Sequence, residues 1–429
     1  MNIIQRGEHF VQSLRDLARR TIWDWHRCPH CGSTDTCRWS SYARHPWTLE
    51  GRQIVQVPRH RCNVCKRTYS EQSAFLVRRS WYARDVHRYT IDLWQHGGSS
   101  LRRVVEFVRS LLGRQERWLL WRPLAESPAE VEQCHLGAST AHRWLDRAGK
   151  EAEKTVSGQL EGIATSGQVQ ADGLWARLRG GAKRVVLLLV DSVTGLMWPP
   201  VVVEEEDNEL AWGHLFERAS EAGLDLDALH GLVSDGARGL LGFLRGALKW
   251  VNHQRCVWHL WRNLSAELAK QVSKAAVGLV GAAAKAAREV ARQELVALIH
   301  GVLDASSRAQ AEAALVQLKA HRLGTELSRT LEEHLDAALV HLMDYNRGLL
   351  RVGPECYWRD FRLRLSRGRN HGSEQRLERA ALVWAIYHNF TPAQWRSERK
   401  RHYRRPGQSA LEVAGAPAGK ISYLDALGV

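Results

Sequence analysis

Residues 233–264 read V-S-D-G-A-R-G-L-L-G-F-L-R-G-A-L-K-W-V-N-H-Q-R-C-V-W-H-L-W-R-N-L. A short apolar run ends at Asp235-Gly236, and Cys256 and His259 follow about twenty residues later, three apart, beside Arg262 and Asn263. An isolated Asp-Gly is usually only a turn. An Asp at the end of a buried strand, followed by a helix and a Cys-x-x-His, is a more specific arrangement, and its alternation of strand and helix predicts an α/β fold.

Working outward, Gln168 to Asp172 reads as a short strand ending in an acid, Leu174 to Leu178 and Arg184 to Val190 as apolar runs, Thr194-Gly195 as a hairpin turn and Met197 to Val203 as a third strand. Glu209 to Ala222 is an amphipathic helix, Leu229 to Val233 a fourth strand, and Lys249 to His253 a fifth. Three hairpin-linked strands followed by strands alternating with helices fit a mixed sheet covered by helices. In that order the first and fourth strands can be neighbours, so Asp172 and Asp235 meet at adjacent strand ends. Two carboxylates that close repel strongly unless a cation lies between them. Oxygen ligands suit Mg2+ or Mn2+, and two such ions about 4 Å apart serve phosphoryl transfer.

A third acid is expected downstream. Asn370 or Ser373 can cap a helix running through Ala380 to Tyr387, with Glu374 in its first turn and Glu378 one turn along the same face as the rival. Between Asp235 and Glu374, residues 275–300, 308–319 and 325–345 are strongly helical by composition. Cys256 and His259 admit two readings: a buried thiol and a hydrogen-bonded histidine bracing the core, or a histidine approaching a metal-ligating acid or the scissile phosphate. The acidic run Glu204 to Asp207 is expected to be a solvated turn. Trp258 and Trp261, interleaved with Arg255 and Arg262, could pack or touch DNA. The arginines of 359–369, among them Arg367 and Arg369, and the run Arg396 to Arg405 suit phosphate contact.

Ahead of this core, Cys28-Pro-His-Cys31 and Cys62-Asn-Val-Cys65 form two C-x-x-C knuckles. Each places two thiolates on one tight turn, and together they complete a four-sulfur zinc site of the ribbon kind. Cys37 reads as a packed spare thiol and His30 as exposed. Arg59, Arg61, Lys66 and Arg67 surround the second knuckle and suit a phosphate-contacting face. From Ala83 the period becomes helical: Val86, Tyr89, Ile91, Leu93 and Trp94 form one apolar face. Ser99 or Ser100 caps the next helix, with Leu101, Val104, Val105 and Val108. Ser139-Thr140 leads into a helix carrying Arg143 and Arg147, which fits a helix-turn-helix reading helix.

The chain has 429 residues, 44% hydrophobic, enough for several domains with real cores. Its net charge of +15, spread along the chain, favours an acidic partner such as nucleic acid over a membrane surface. No stretch approaches the roughly 18 apolar residues of a spanning helix, and the first ten residues lack a signal-peptide core. An intracellular, reducing location is therefore expected, where eight cysteines point to metal ligands more than to disulfides. The eighteen tryptophans can be core or can stack on bases.

Asp172 in Q-A-D-G, Asp235 in S-D-G-A-R-G-L, the C-V-W-H-L-W-R-N-L block and Glu374 in R-x-N-x-x-S-E together resemble mutator-type transposases. These are DDE enzymes of bacterial insertion sequences and eukaryotic Mutator-like elements. The resemblance covers roughly residues 165–405 and implies a ribonuclease-H-like core interrupted by an all-helical insertion. It implies Asp172, Asp235 and Glu374 as catalytic acids holding two Mg2+ or Mn2+ ions, with Cys256, His259, Arg262 and Asn263 supporting. It also implies partners: terminal inverted repeats, target DNA and a second subunit, in a bacterial cytoplasm at the nucleoid. The context N-H-G-S-E departs from the family's more usual Asn-x-x-Ile-Glu, which keeps Glu378 open.

The expected domains are an N-terminal helix (1–27), a zinc ribbon (28–76), a helical DNA-binding domain (80–150), the first part of the core (162–264), the insertion (265–350), the second part of the core (351–408) and a tail (409–429). The rival functions are a non-catalytic DNA-binding descendant and a metal-dependent nuclease that cuts without joining.

Overall fold

The computed structural model describes residues 26–71, 75–97, 99–119, 134–160, 163, 165–343, 349–367, 371–392, 407–416 and 422–429. The proposed N-terminal helix, except for residues 26 and 27, Arg369 and the run Arg396 to Arg405 lie outside them. Contacts divide the chain into two units: Met1–Ala148 with Ser366–Gly368 and Gly428–Val429, and Gly149–Leu365 with Arg369–Leu427.

In the first unit, β1 (Thr36–Arg44) pairs antiparallel with β4 (Val55–Cys62), which also pairs with β5 (Thr68–Ser70). Between them β2 (Trp47–Thr48) and β3 (Gly51–Arg52) close a small hairpin. Three helices follow: α1 (Arg84–Gly97), α2 (Leu101–Leu119) and α3 (Ala138–Gln159), of which residues from Gly149 on count with the second unit. The Asp85 carboxylate accepts the Leu49 and Val86 amides, which fastens the hairpin to the start of α1. Ser100 caps α2, and Leu101, Val104, Val105, Val108 and Leu112 are buried at helical spacing along it. Trp144 of α3 stacks on His87 of α1 at 3.7 Å.

The second unit is built on a five-stranded sheet. In chain order its elements are β6 (Gln168–Arg177), β7 (Lys183–Asp191), β8 (Val201–Val203), α4 (Glu209–Glu221), β9 (Gly231–Ser234), α5 (Arg238–Ala247) and β10 (Asn252–Arg255). The spatial order is β10-β9-β6-β7-β8. The β6, β7 and β8 pairings are antiparallel, whereas β9 runs parallel to β6 and β10 parallel to β9. The structure corrects two details of the strand expectations. Asp172 lies inside one continuous strand rather than at a strand's end, because Gly173 keeps its place in an unbroken pairing with β7. The third strand starts only at Val201, since Pro199 and Pro200 have no N–H to give to the ladder.

The run Val185 to Asp191 is buried throughout, as a strand with apolar cover on both faces must be. After β10 the chain makes α6 (Val257–Lys274), α7 (Gly281–Leu303), α8 (Arg308–Ala320) and α9 (Thr325–Ala338). These share their own core, with Leu260, Leu264, Leu295, Ile299, Leu318, Leu327 and Leu331 almost fully buried. The chain then returns as α10 (Glu355–Arg367) and α11 (Glu374–Phe390). Trp358, Phe361, Leu377 and Trp384 of these helices cover the sheet face that carries Leu174, Val186, Leu188 and Val190. Residues 409–429 carry two short helices, α12 (Ala410–Val413) and α13 (Tyr423–Ala426), each opened by a serine capping box.

Candidate active site and cysteine centre

The two knuckles come together. Cys28 Sγ lies 3.6 Å from Cys65 Sγ and Cys31 Sγ 3.6 Å from Cys62 Sγ, and all four sulfurs fall within 4.8 Å of one another. The residue after each second cysteine, Gly32 or Lys66, takes a positive φ that closes its turn. The backbone amides of His30 and Cys65 donate to Cys28 Sγ and Cys62 Sγ, the local stabilisation a thiolate ligand uses. The Cys65 amide is the main reason that the Cys62 thiol is lowered to about 7. Four sulfurs at this spacing could hold a zinc ion. Cys37 is exposed on β1 rather than packed, and His30 is exposed as expected. Arg61 lies over the exposed Trp39 ring at 4.7 Å, and Arg59 donates to Thr68 Oγ1.

The second centre lies at the middle of the sheet. Gln168, Val169 and Gln170 pair with Gly231, Leu232 and Val233. Carrying that register on by two residues brings Asp235, just past the end of β9, level with Asp172. The turn after Asp235 needs glycine: Gly236 has a φ of +78°, and a Cβ there would strike the Arg255 guanidinium. Asp235 accepts the Ala237 amide at 3.0 Å. Asp172, His259 and Glu355 place their donor atoms within 4.8 Å of one another. His259 Nε2 is 2.8 Å from Glu355 Oε1, and Trp358 Nε1 donates to Asp172 Oδ2 at 2.7 Å. Glu355 and Trp358 stand one turn apart on α10, so the start of that helix delivers both groups to Asp172.

The electrostatics follow from this crowding. Burial pushes the Asp172 carboxyl up, His259 opposes it, and Glu355 and Asp235 add to it. Burial works against a charged His259, yet Cys256, Glu355 and Asp172 outweigh it and push its pKa up to about 10. Burial also disfavours the Glu355 charge, but His259 keeps this carboxylate below its ordinary value. Two carboxylates thus meet one imidazolium, and the Asp235 charge also bears on Asp172, a set that calls for further positive charge. Their oxygens suit a hard divalent cation such as Mg2+ or Mn2+.

The other expected site residues are placed as follows. Ser373 caps α11 and Glu374 is its first residue, as the sequence predicts. Glu374 pairs with Arg184, however, and Glu378 with Arg218. Arg184 lies opposite Ala176 in the β6–β7 ladder, four residues along β6 from Asp172. The structure brings Glu355, not Glu374 or Glu378, to Asp172. Cys256 is buried, and its sulfur accepts the Gly353 amide at 3.1 Å. Arg262 and Asn263 are exposed on α6, with Arg262 over the Trp258 ring at 5.6 Å. Arg143 and Arg147 are exposed one turn apart on α3, and Arg367 closes α10.

Two carboxylates, Glu355 and Glu206, are not among the site residues expected from the sequence. Glu355 follows Gly353-Pro354, a helix-start signal that places an acid in a first turn. Glu206, in the run expected to be solvated, is half-buried and accepts Trp175 Nε1 at 3.2 Å. A Cβ on Gly173 would lie 2.5 Å from Glu206 Oε2, so the missing side chain beside Asp172 makes room for this carboxylate.

An acid-and-histidine centre of this kind could hold a divalent cation. Residues 200–314 match the model of a transposase family, the Mutator family, which supports a mutator-type transposase. That stretch contains Asp235, Cys256 and His259 but neither Asp172 nor Glu355. No curated protein matches the chain.

Proposed function

We propose that this chain is a DNA transposase of an insertion sequence, with a ribonuclease-H-like core and Asp172, Asp235 and Glu355 as its three acids. The observation that carries the reading is the meeting of Asp172, His259 and Glu355 beside Asp235, within a chain whose residues 200–314 match the Mutator family. The strand order, with three antiparallel strands and two parallel ones beside the first, is that expected of such a core.

Two Mg2+ or Mn2+ ions bound there supply nucleophile activation and neutralisation of the leaving oxygen. Asp172, held by Trp358, and Asp235, held by its own turn, would be the oxygen ligands, and Glu355 would complete the set. His259 carries a proton between the acids and holds the Glu355 carboxylate in place. In the first reaction a water oxygen bonds to a phosphorus at the element's end, and the bond to the 3′ oxygen breaks. In the second, the freed 3′-hydroxyl attacks a target phosphodiester and displaces its 3′ oxygen. Neither reaction needs a covalent enzyme intermediate, so the chain's work is positioning and charge neutralisation.

The cysteine centre, holding zinc, and the helices of the first unit, with Arg143 and Arg147 outward, would recognise the terminal repeats in a helix-turn-helix manner. Arg367 and Arg369 would contact DNA phosphates. Joining two ends calls for a dimer or larger assembly, and the work belongs at the bacterial nucleoid. No helix among the described residues is long and apolar enough to cross a membrane.

The test is strand transfer from a pre-cleaved duplex carrying the element's end into a plasmid with Mn2+. Joined product is expected. Cleavage without joining, or DNA binding with neither reaction, overturns the reading.

A further inference from the structure

We propose that Glu206 is a fourth carboxylate of this site, a ligand to a divalent cation held at Asp235. The inference rests on the acid-site reading above and concerns a residue that lies outside its three acids.

The loop that carries Glu206 is clamped rather than solvated. Its backbone oxygen accepts Trp212 Nε1 at 2.7 Å. Gly239, near the start of α5, leaves the space into which that same oxygen fits; a Cβ there would lie 2.6 Å from it. Asp207 next door binds both the amide and the guanidinium of Arg238, the first residue of α5. The loop is therefore fixed to the helix that begins three residues after Asp235.

Its neighbours Glu204, Glu205 and Asp207 are exposed, while Glu206 turns inward. One carboxylate oxygen is held by Trp175, and the other lies against the backbone of Gly173. Glu204 pairs with Arg184 and Asp207 with Arg238. Among the described residues no lysine or arginine pairs with Glu206. An inward carboxylate with no basic partner among the described residues, set against the glycine that follows Asp172 and carried on a loop fixed to the helix that follows Asp235, is arranged to share a bound ion. The Trp175 indole then fixes the ligand from outside, the role that partners of metal ligands play.

The experiment is Mn2+ titration of the full-length protein, with free Mn2+ followed by its paramagnetic resonance. Glu206→Gln should weaken one Mn2+ site by about tenfold or more and leave the other near its wild-type affinity. Trp175→Phe should weaken the same site by a smaller factor. Glu205→Gln, in the same loop but exposed, should titrate as wild type. If Asp172→Asn loses Mn2+ while Glu206→Gln and Trp175→Phe bind as wild type, Glu206 is no ligand and the three-acid reading stands. If wild type shows no saturable Mn2+ site, or Asp172→Asn binds undiminished, the acid-site reading itself fails. Thermal melting shows whether each variant folds. Should Glu206→Gln not fold, Trp175→Phe carries the test, and wild-type affinity there overturns the proposal.

Discussion

The cysteine centre and the acid centre collect their ligands in opposite ways. Each cysteine knuckle supplies two sulfurs from one tight turn, and Gly32 and Lys66 close those turns with positive φ. The acid centre takes every group from a different place: Asp172 from the middle of β6, Asp235 from beyond the end of β9, His259 from the first turn of α6 and Glu355 from the first turn of α10. The small buried group around the cysteines is Cys28, Cys62 and Tyr69, so that region leans on its ligands for its core. The sheet buries Trp358, Phe361, Trp384 and a full run of β7, so it stands without an ion. The first centre is expected to need its metal in order to fold, and the second to need its fold in order to bind metal.

The sharpest way to break that comparison is through the third acid. Asp172→Asn and Glu355→Gln should each lower strand transfer by about a thousandfold or more, while Glu374→Gln stays within about threefold of wild type. A quantitative joining assay on the three variants decides it; inactive Glu374→Gln beside active Glu355→Gln would restore the sequence-based assignment. Next in size is removal of zinc. Structural zinc sites contribute roughly 10 kcal/mol or more to the modules they hold. Chelation, or Cys62→Ser, should therefore open residues 28–71 to protease while Mn2+ binding at the acids persists. Protection of that segment after metal removal would show that the cysteine region has a core of its own.

The contrast also explains what the sequence could reveal. The knuckles were legible because all their geometry is local: two residues separate the cysteines of each pair, and a turn does the rest. Asp235 was legible because strand, acid, glycine and helix are consecutive. The helix that starts at Glu374 was legible from its candidate caps, Asn370 or Ser373, of which Ser373 serves, but a cap fixes only where a helix begins. It does not fix which sheet residue the first turn meets, and here the partner is Arg184. Glu355 was hidden because its meeting with Asp172 depends on how the chain returns after α9, a matter of tertiary packing. Glu206 was hidden because its burial comes from Trp175, Trp212 and two glycines on other elements. The expectation that the preceding strand points away from the site placed it in solvent with its neighbours. The strands erred at Gly173 and Pro199-Pro200 for opposite reasons: one glycine did not stop a strand, and two prolines delayed one.

A smaller effect sharpens the account of the acid centre. Trp358→Phe keeps a buried ring beside Phe361 and Trp384 but removes the 2.7 Å hydrogen bond to Asp172. A hydrogen bond to a charged group is worth about 1.5–3 kcal/mol. The variant should melt close to wild type and lose strand transfer by roughly tenfold or more. Unchanged activity would mean that Asp172 is held by its strand alone.

Helix packing can also stabilise the first unit. His87 is buried against Trp144 and bonded to Ser80 Oγ at 3.0 Å. Burial, helped by the Arg147 and Arg84 charges, lowers its pKa from 6.5 to about 3. Between those values the unfolded chain takes up a proton that the folded chain refuses. The stability given by a neutral His87 is therefore complete above pH 6.5, declines as pH falls, and is gone below about 3. The slope for one proton is about 1.4 kcal/mol per pH unit. Denaturant unfolding of the zinc-loaded protein at pH 7.5 and 5.5 should show a loss of stability that His87→Phe, which keeps a ring on Trp144, reduces by about that amount. Parallel pH dependence in the two proteins would mean that the α1–α3 contact does not limit unfolding of this unit. A reduced dependence assigns part of the unit's stability to helix packing, and confines the requirement for metal to the ribbon strands.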